Sequence, residues 1–300
     1  MYRIAFDPIY CHPLPEGHRF PMAKYELLPE QLVHEGTVSE DAFFRPSLLT
    51  EDEILRTHNV NYWEKLKNGT LSRKEERKIG FPWSEQLVKR ERIICQGTIQ
   101  NTEYALKDGV SYNIAGGTHH AYTDRGEGFC LMNDIAIGAH HLLEKHQFEQ
   151  ILVVDLDVHQ GNGTAQIFEN ENRVFTFSMH GEKNYPMHKE TSDLDVGVPD
   201  GITDEAYLSL LDRHLKSLVD QLEPQFIFFQ SGVDVLSTDK LGRLGLSIEG
   251  CKERDRMVFD VCKRNQIPVA VNMGGGYSEK LSDIIEAHAN TYRLGAWFFN

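Results

Sequence analysis

The sequence predicts an α/β fold, a three-layer α/β/α arrangement with a central parallel sheet covered by helices on both faces. Short runs of apolar, mostly β-branched or aromatic residues recur along the chain, and stretches with helical spacing separate them. These runs are apolar at consecutive positions, as expected of strands buried on both faces. Four of them end alike, in glycine and a polar reactive side chain. In open α/β sheets the carboxyl ends of parallel strands border one crevice, so these side chains are expected to converge there.

Taken in order, Met1-Tyr-Arg-Ile-Ala-Phe-Asp7 reads as a first strand and not as a signal peptide. Arg73-Lys-Glu-Glu-Arg-Lys78 is the only dense basic run; two glutamates interrupt it, and it reads as a solvated helix face. A second strand begins at Val110 and ends in Gly116-Gly117 and the pair His119-His120. Ile135 to His146 has helical apolar spacing. Adjacent helical side chains diverge by about 100°, so His140 and His141 cannot serve one site and are expected in surface or packing roles. Ile151-Leu-Val-Val154 reads as a buried strand. It runs into Asp155, Asp157 and His159, and a carboxylate and an imidazole two residues apart there set two metal-ligand groups on one side of the backbone. A solvated or helix-capping strand end would carry the same residue types. Glu205 to Leu218 is helical, Phe226 to Gln230 is a strand leading to Gly232 and Asp234, and Pro268 to Asn272 leads to Gly274-Gly-Gly-Tyr277.

With 300 residues, 40% of them hydrophobic, the chain can bury a large core. No linker, repeat or low-complexity stretch divides it, so one domain over residues 1–300 is expected. A net charge of −14 argues against gripping nucleic acid through a basic surface. No apolar run approaches the roughly 20 residues of a membrane span. Five cysteines without CxxC spacing suggest neither a disulfide framework nor a cysteine zinc site. A cytoplasmic location is expected.

The segments Gly116-Gly-Thr-His-His-Ala121, Asp124-Arg-Gly-Glu-Gly-Phe-Cys130, Asp155-Leu-Asp-Val-His-Gln-Gly-Asn-Gly163, Ser231-Gly-Val-Asp234 and Gly274-Gly-Gly-Tyr277 resemble, in content and order, the histone deacetylase family of the arginase–deacetylase superfamily. The resemblance spans nearly the whole chain. Phe81-Pro-Trp-Ser-Glu85 and the Gln-Gly-Asn-Gly form of the loop look most like the class IV branch.

That resemblance implies an arginase/deacetylase-like fold and a hydrolase of acyl-lysine amides with one Zn2+ per chain. Its ligands would be Asp157, His159 and Asp234, a set that leaves a position open for water, as in catalytic zinc sites. Ligand type alone would also admit Fe(II), Mn(II) or Co(II). His120 would be the general base, His119 its electrostatic partner held by Asp155, and Tyr277 the donor to the substrate carbonyl. Asn162 stands where class I members carry an aspartate that orients the second histidine. An amide can accept the ring N–H but brings no charge, so His120 is expected to be less basic than in class I. Gly128 and Phe129 would form one wall of a tunnel for the lysine stem, with Tyr185 near the opposite wall. Ser178 and Met179 would help form a structural K+ site beside Asp155 and His159.

The partner is expected to be an acyl-lysine protein or peptide, or a small acylated amine such as an acetylpolyamine. Glycines around the site, and the class IV likeness, lean the expectation toward longer acyl chains. A two-manganese ureohydrolase would need a further carboxylate after His159, where Gln160 and Gly161 stand. Dinucleotide binding fails because Gln166 stands where the third glycine belongs. A non-catalytic acyl-lysine-binding module would be favoured by loss of a ligand, of His120 or of Tyr277, and none is lost.

Overall fold

The computed structural model describes residues 3–299. Met1 and Tyr2 of the expected first strand lie outside the described residues. The strands are β1 (Arg3–Ala5), β2 (Phe43–Phe44), β3 (Val110–Asn113), β4 (Ile151–Asp155), β5 (Val174–Gly181), β6 (Leu194–Val198), β7 (Phe226–Gln230) and β8 (Val269–Asn272). They form one eight-stranded sheet in the order β2-β1-β3-β8-β7-β4-β5-β6. Every pairing is parallel.

Successive side chains of a strand point to opposite faces, and here both faces are buried. Ile151, Val153, Phe226 and Phe228 pack with Ala105, Ile135 and Leu142, from the helices Glu85–Asp108 and Asp134–Lys145. Leu152, Val154, Ile227 and Phe229 face the other way, in a cluster with Leu211, Leu215, Val258 and Phe259, from the helices Asp204–Leu222 and Ile248–Asn265. This is the predicted three-layer arrangement, and burial on both faces explains why the strands lack polar alternation. Fully burying such a side chain contributes roughly 1.5–3 kcal/mol, so β4 and β7 anchor the middle of the sheet.

Local chemistry sets the helix ends. The Asn133 side chain accepts from the N–H of Ala136 and starts the helix predicted over 135–146. Thr203 caps the helix predicted over 205–218, which continues to Leu222 because Leu218 and Val219 extend its buried stripe. Arg73–Ile79 is a helix closed at its start by a Ser72–Glu75 capping box, with Arg73, Lys74, Arg77 and Lys78 exposed. His140 lies 2.8 Å from Thr57 Oγ1 while His141 faces Glu103, so the two adjacent rings serve different neighbours. All five cysteines carry free thiols. Among the described residues no helix is long and apolar enough to cross a membrane.

Candidate active site

β3, β8, β7 and β4 are consecutive in the sheet, and their carboxyl ends deliver the four strand-end segments singled out from the sequence. After β4 the chain coils on its own carboxylates: Asp155 Oδ1 accepts from Asp157 N at 3.1 Å, and Asp157 Oδ1 accepts from His159 N at 3.0 Å. These two Asx-type turns convert the Asp-x-Asp-x-His spacing into a tight loop. Asp234, just beyond β7, accepts from Val158 N at 2.9 Å through Oδ1. Gly275, beyond β8, donates to Asp157 Oδ2 at 2.8 Å, and a Cβ there would run into Asp234. Only glycine lets that backbone come so close. Arg254 braces the arrangement from behind. Its Nη1 donates to Leu156 O at 3.1 Å and to Gly232 O at 2.5 Å, next to both carboxylate-bearing loops.

His159 Nδ1 lies 3.1 Å from Asp157 Oδ1 and 3.1 Å from Asp234 Oδ2. The three ligand atoms all fall within 4.8 Å of one another. Asp157 and Asp234 are fully buried. Burial and the neighbouring Asp157 charge push the Asp234 carboxyl up to about 7. Burial works against a charged His159, but hydrogen bonds to the two carboxylates prevail and raise it to about 10. A pocket that crowds two carboxylates and recruits a proton to offset them is short of positive charge. One imidazole nitrogen and two carboxylate oxygens therefore fit a single divalent ion.

The His pair follows β3. His119 Nδ1 lies 2.7 Å from Asp155 Oδ2, and His120 Nδ1 lies 2.6 Å from Asn162 Oδ1. Their rings are 4.1 Å apart, so the charge of one acts on the other. Burial disfavours both cations. For His119 the Asp155 and Asp157 charges win, and it rises to about 9. His120 has only an amide beside it, and burial, His119 and His159 hold it well below the usual histidine range.

The recess above is lined by His119, His120, Asp157, His159, Tyr277 and an aromatic wall of Phe20, Phe81 and Phe129. Phe129 lies 5.2 Å from both Phe20 and Phe81 and 6.0 Å from Tyr277, ring centre to ring centre. Gly128 and Phe129 both hold positive φ, 53° and 68°, and a Cβ on Gly128 would run into the His120 ring. The turn that aims Phe129 inward thus requires glycine before it. Burial pushes the Tyr277 hydroxyl well above its ordinary value, so it stays protonated. Tyr185 stands edge-on to His120 at 4.9 Å, with its hydroxyl on Glu127 Oε2 at 2.7 Å. Asp155 and Asn162 hold the histidines from outside the recess lining. Ser178 pairs with Asp155 across β4 and β5, with Met179 next to it.

Sequence reasoning missed several supports. Tyr122 accepts from Asn162 Nδ2 at 2.9 Å and donates to Glu190 at 3.1 Å. Asp239 accepts from Tyr277 N at 2.6 Å, and buried Lys24 donates to Gly274 O at 3.0 Å. None stands at a strand end. Tyr122 alone was signalled, by its place two residues after the His pair.

The sequence matches the histone deacetylase domain over residues 18–292. It is 40% identical over 292 residues to an uncharacterized protein of Picosynechococcus sp., covering 97% of each chain. It is 30% identical over 285 residues to Histone deacetylase 2 of Arabidopsis thaliana, covering 89% of this chain and 72% of that one. A crystal structure of an HDAC homolog complexed with SAHA superposes with a TM-score of 0.83 at 25% identity, covering 97% of this chain and 82% of that one. The HDAC homolog from Aquifex aeolicus shares the fold, with a TM-score of 0.81 at 23% identity and the same coverage. With the matching strand ends, recess and family profile, this chain belongs to the histone deacetylase family.

Proposed function

We propose that the protein is a zinc-dependent hydrolase, one catalytic domain over residues 1–300, that removes a short acyl group from the side-chain amide of lysine. The observation that carries this reading is the pair of differently tuned histidines beside one buried His–Asp–Asp cluster. Zinc held by Asp157, His159 and Asp234 would supply a Lewis acid for the amide carbonyl and acidify the attacking water. With Nδ1 engaged by Asn162, His120 offers Nε2 as general base to that water and then returns the proton to the leaving amine. His119, cationic against Asp155, favours the negative charge that develops in the transition state. The Tyr277 hydroxyl donates to the carbonyl oxygen as it becomes an oxyanion. Gly128 and Phe129 flank the lysine stem, and Tyr185 closes the rim over His120. A K+ ion beside Asp155 and Ser178 and membership of the class IV branch belong to the same reading. The Asn162 contact and the place of Phe81 in the wall support the branch.

A short acyl chain replaces the leaning toward longer ones. The recess lining also includes Tyr25 and Arg90, and the buried Arg90 guanidinium pairs with Glu91. Each buried CH2 gains about 0.8 kcal/mol only against apolar surface, which the Arg90 guanidinium does not offer. The space beside Gly117 is taken by the Gln230 side chain. The test is kcat/KM of zinc-loaded protein on acetyl-, octanoyl- and myristoyl-lysine forms of one peptide, with acetylpolyamines alongside. Acetyl should lead. Faster myristoyl turnover would overturn the short-chain assignment, turnover of polyamines alone would move the substrate to small amines, and inertness toward all would overturn the hydrolase.

A further inference from the structure

At the end of the sheet away from the catalytic crevice, a second set of metal-type ligands converges. Glu103 lies near the end of the helix Glu85–Asp108, which leads into the amino end of β3. His141 lies in the helix Asp134–Lys145 and His146 caps it, on the way to the amino end of β4. His141 Nε2 and His146 Nε2 each lie 2.9 Å from the same oxygen, Glu103 Oε1. The three ligand atoms all fall within 4.8 Å of one another. Lys145 Nζ reaches that oxygen too, at 2.8 Å, from a side chain 55% exposed.

The cluster can be held by protons alone, with each ring donating N–H to the carboxylate. It is also close to what a metal requires. Metal–nitrogen and metal–oxygen distances near 2.0–2.2 Å in a tetrahedral site set neighbouring ligand atoms roughly 3.3 Å apart. Moving from 2.9 Å to that spacing asks only small side-chain adjustments, and the Lys145 ammonium is free to swing into solvent. The rings are already ordered: His141 is buried, and His146 packs 6.3 Å from it and 5.8 Å from Phe148. Two imidazoles and one carboxylate suit zinc, nickel, cobalt or copper, and not the oxygen-seeking calcium or magnesium.

We infer that Glu103, His141 and His146 form a second transition-metal site, accessible from solvent, that clamps the helix Glu85–Asp108 to the helix Asp134–Lys145. Nothing in this site depends on the hydrolase reading, and its residues lie outside the catalytic machinery. Each ring binds a metal through an unprotonated Nε2.

The test is equilibrium dialysis of tag-free protein, loaded with one equivalent of zinc per chain, against Ni2+, with both metals counted by elemental analysis and the melting temperature read in parallel. The wild type should add one nickel per chain to its resident zinc and melt a few degrees higher. His146→Gln, at a partly exposed position, should keep the zinc and weaken nickel uptake roughly tenfold or more. Lys145→Ala, which removes the competing ammonium, should tighten it. Absence of nickel uptake by the wild type, or equal uptake by wild type and His146→Gln, would overturn the site.

Discussion

His120 and Asn162 share a short hydrogen bond, from the ring N–H at Nδ1 to the amide Oδ1 at 2.6 Å. The amide is oriented by its own donation to Tyr122, whose hydroxyl turns to Glu190. The histidine therefore receives a fixed tautomer without a full negative charge. Asn162→Asp places that charge in contact, and an adjacent opposite charge raises a histidine pKa by roughly 1–3 units. A general base works in its neutral form, so a higher pKa shifts the acid limb of the kcat/KM profile to higher pH. An unmoved limb would mean that this ring does not carry the transferred proton.

The two histidines should fail differently. His120→Ala removes the group that handles the proton, and a loss of about 10²–10⁴-fold in kcat is expected. His119→Ala removes a charge held against Asp155 and should cost less. Equal, small losses would sink the division of roles.

Metal retention tests the ligand set. Asp234→Ala should lose zinc and turnover together while circular dichroism stays near that of the wild type, because the loop keeps its other ties. Stoichiometric zinc in this variant, by elemental analysis, would remove Asp234 from the set.

Arg254 offers a stability prediction. It is fully buried with Asp255, and Thr291 holds the far oxygen of that carboxylate at 2.6 Å. Arg254→Met strands a buried charge and frees two carbonyls, and a loss of about 3–5 kcal/mol is expected in urea unfolding. Zinc affinity should fall with it, since the freed carbonyls flank Asp157 and Asp234. A loss below about 1 kcal/mol would show that the pair is dispensable.

What could be read from the sequence was what neighbours dictate. Ile151–Val154 and Phe226–Phe229 announce themselves because burial on both faces removes every polar position. His119, His120, Asp157 and His159 could be singled out because they follow such runs directly. Arg254 could not. It sits within Lys-Glu-Arg-Asp-Arg, which reads as a solvated helix face, and only the packing of distant loops makes it buried. Asp239, Lys24 and Glu190 were hidden for the same reason, as was β2, whose two residues are a strand only because β1 lies beside them. His141 was read correctly as unable to share a site with His140, yet it meets His146 across a helix end that spacing rules do not cover.

The placement of β8 has a consequence for how the molecule is made. This strand comes last of the eight in chain order, yet it lies between β3 and β7 at the centre of the sheet. Until it arrives, β3 and β7 have no partner between them, and their open edges are templates for wrong pairing. The nascent chain thus carries His119, His120, Asp157, His159 and Asp234 for some time as parts of two unjoined half-sheets. Insertion of Val269–Asn272 closes the gap and brings Gly275 and Tyr277 to the others in the same event. The recess is in this way completed only once β8 has been made, and no fragment ending before β8 holds Gly275 and Tyr277 against the other residues of the site.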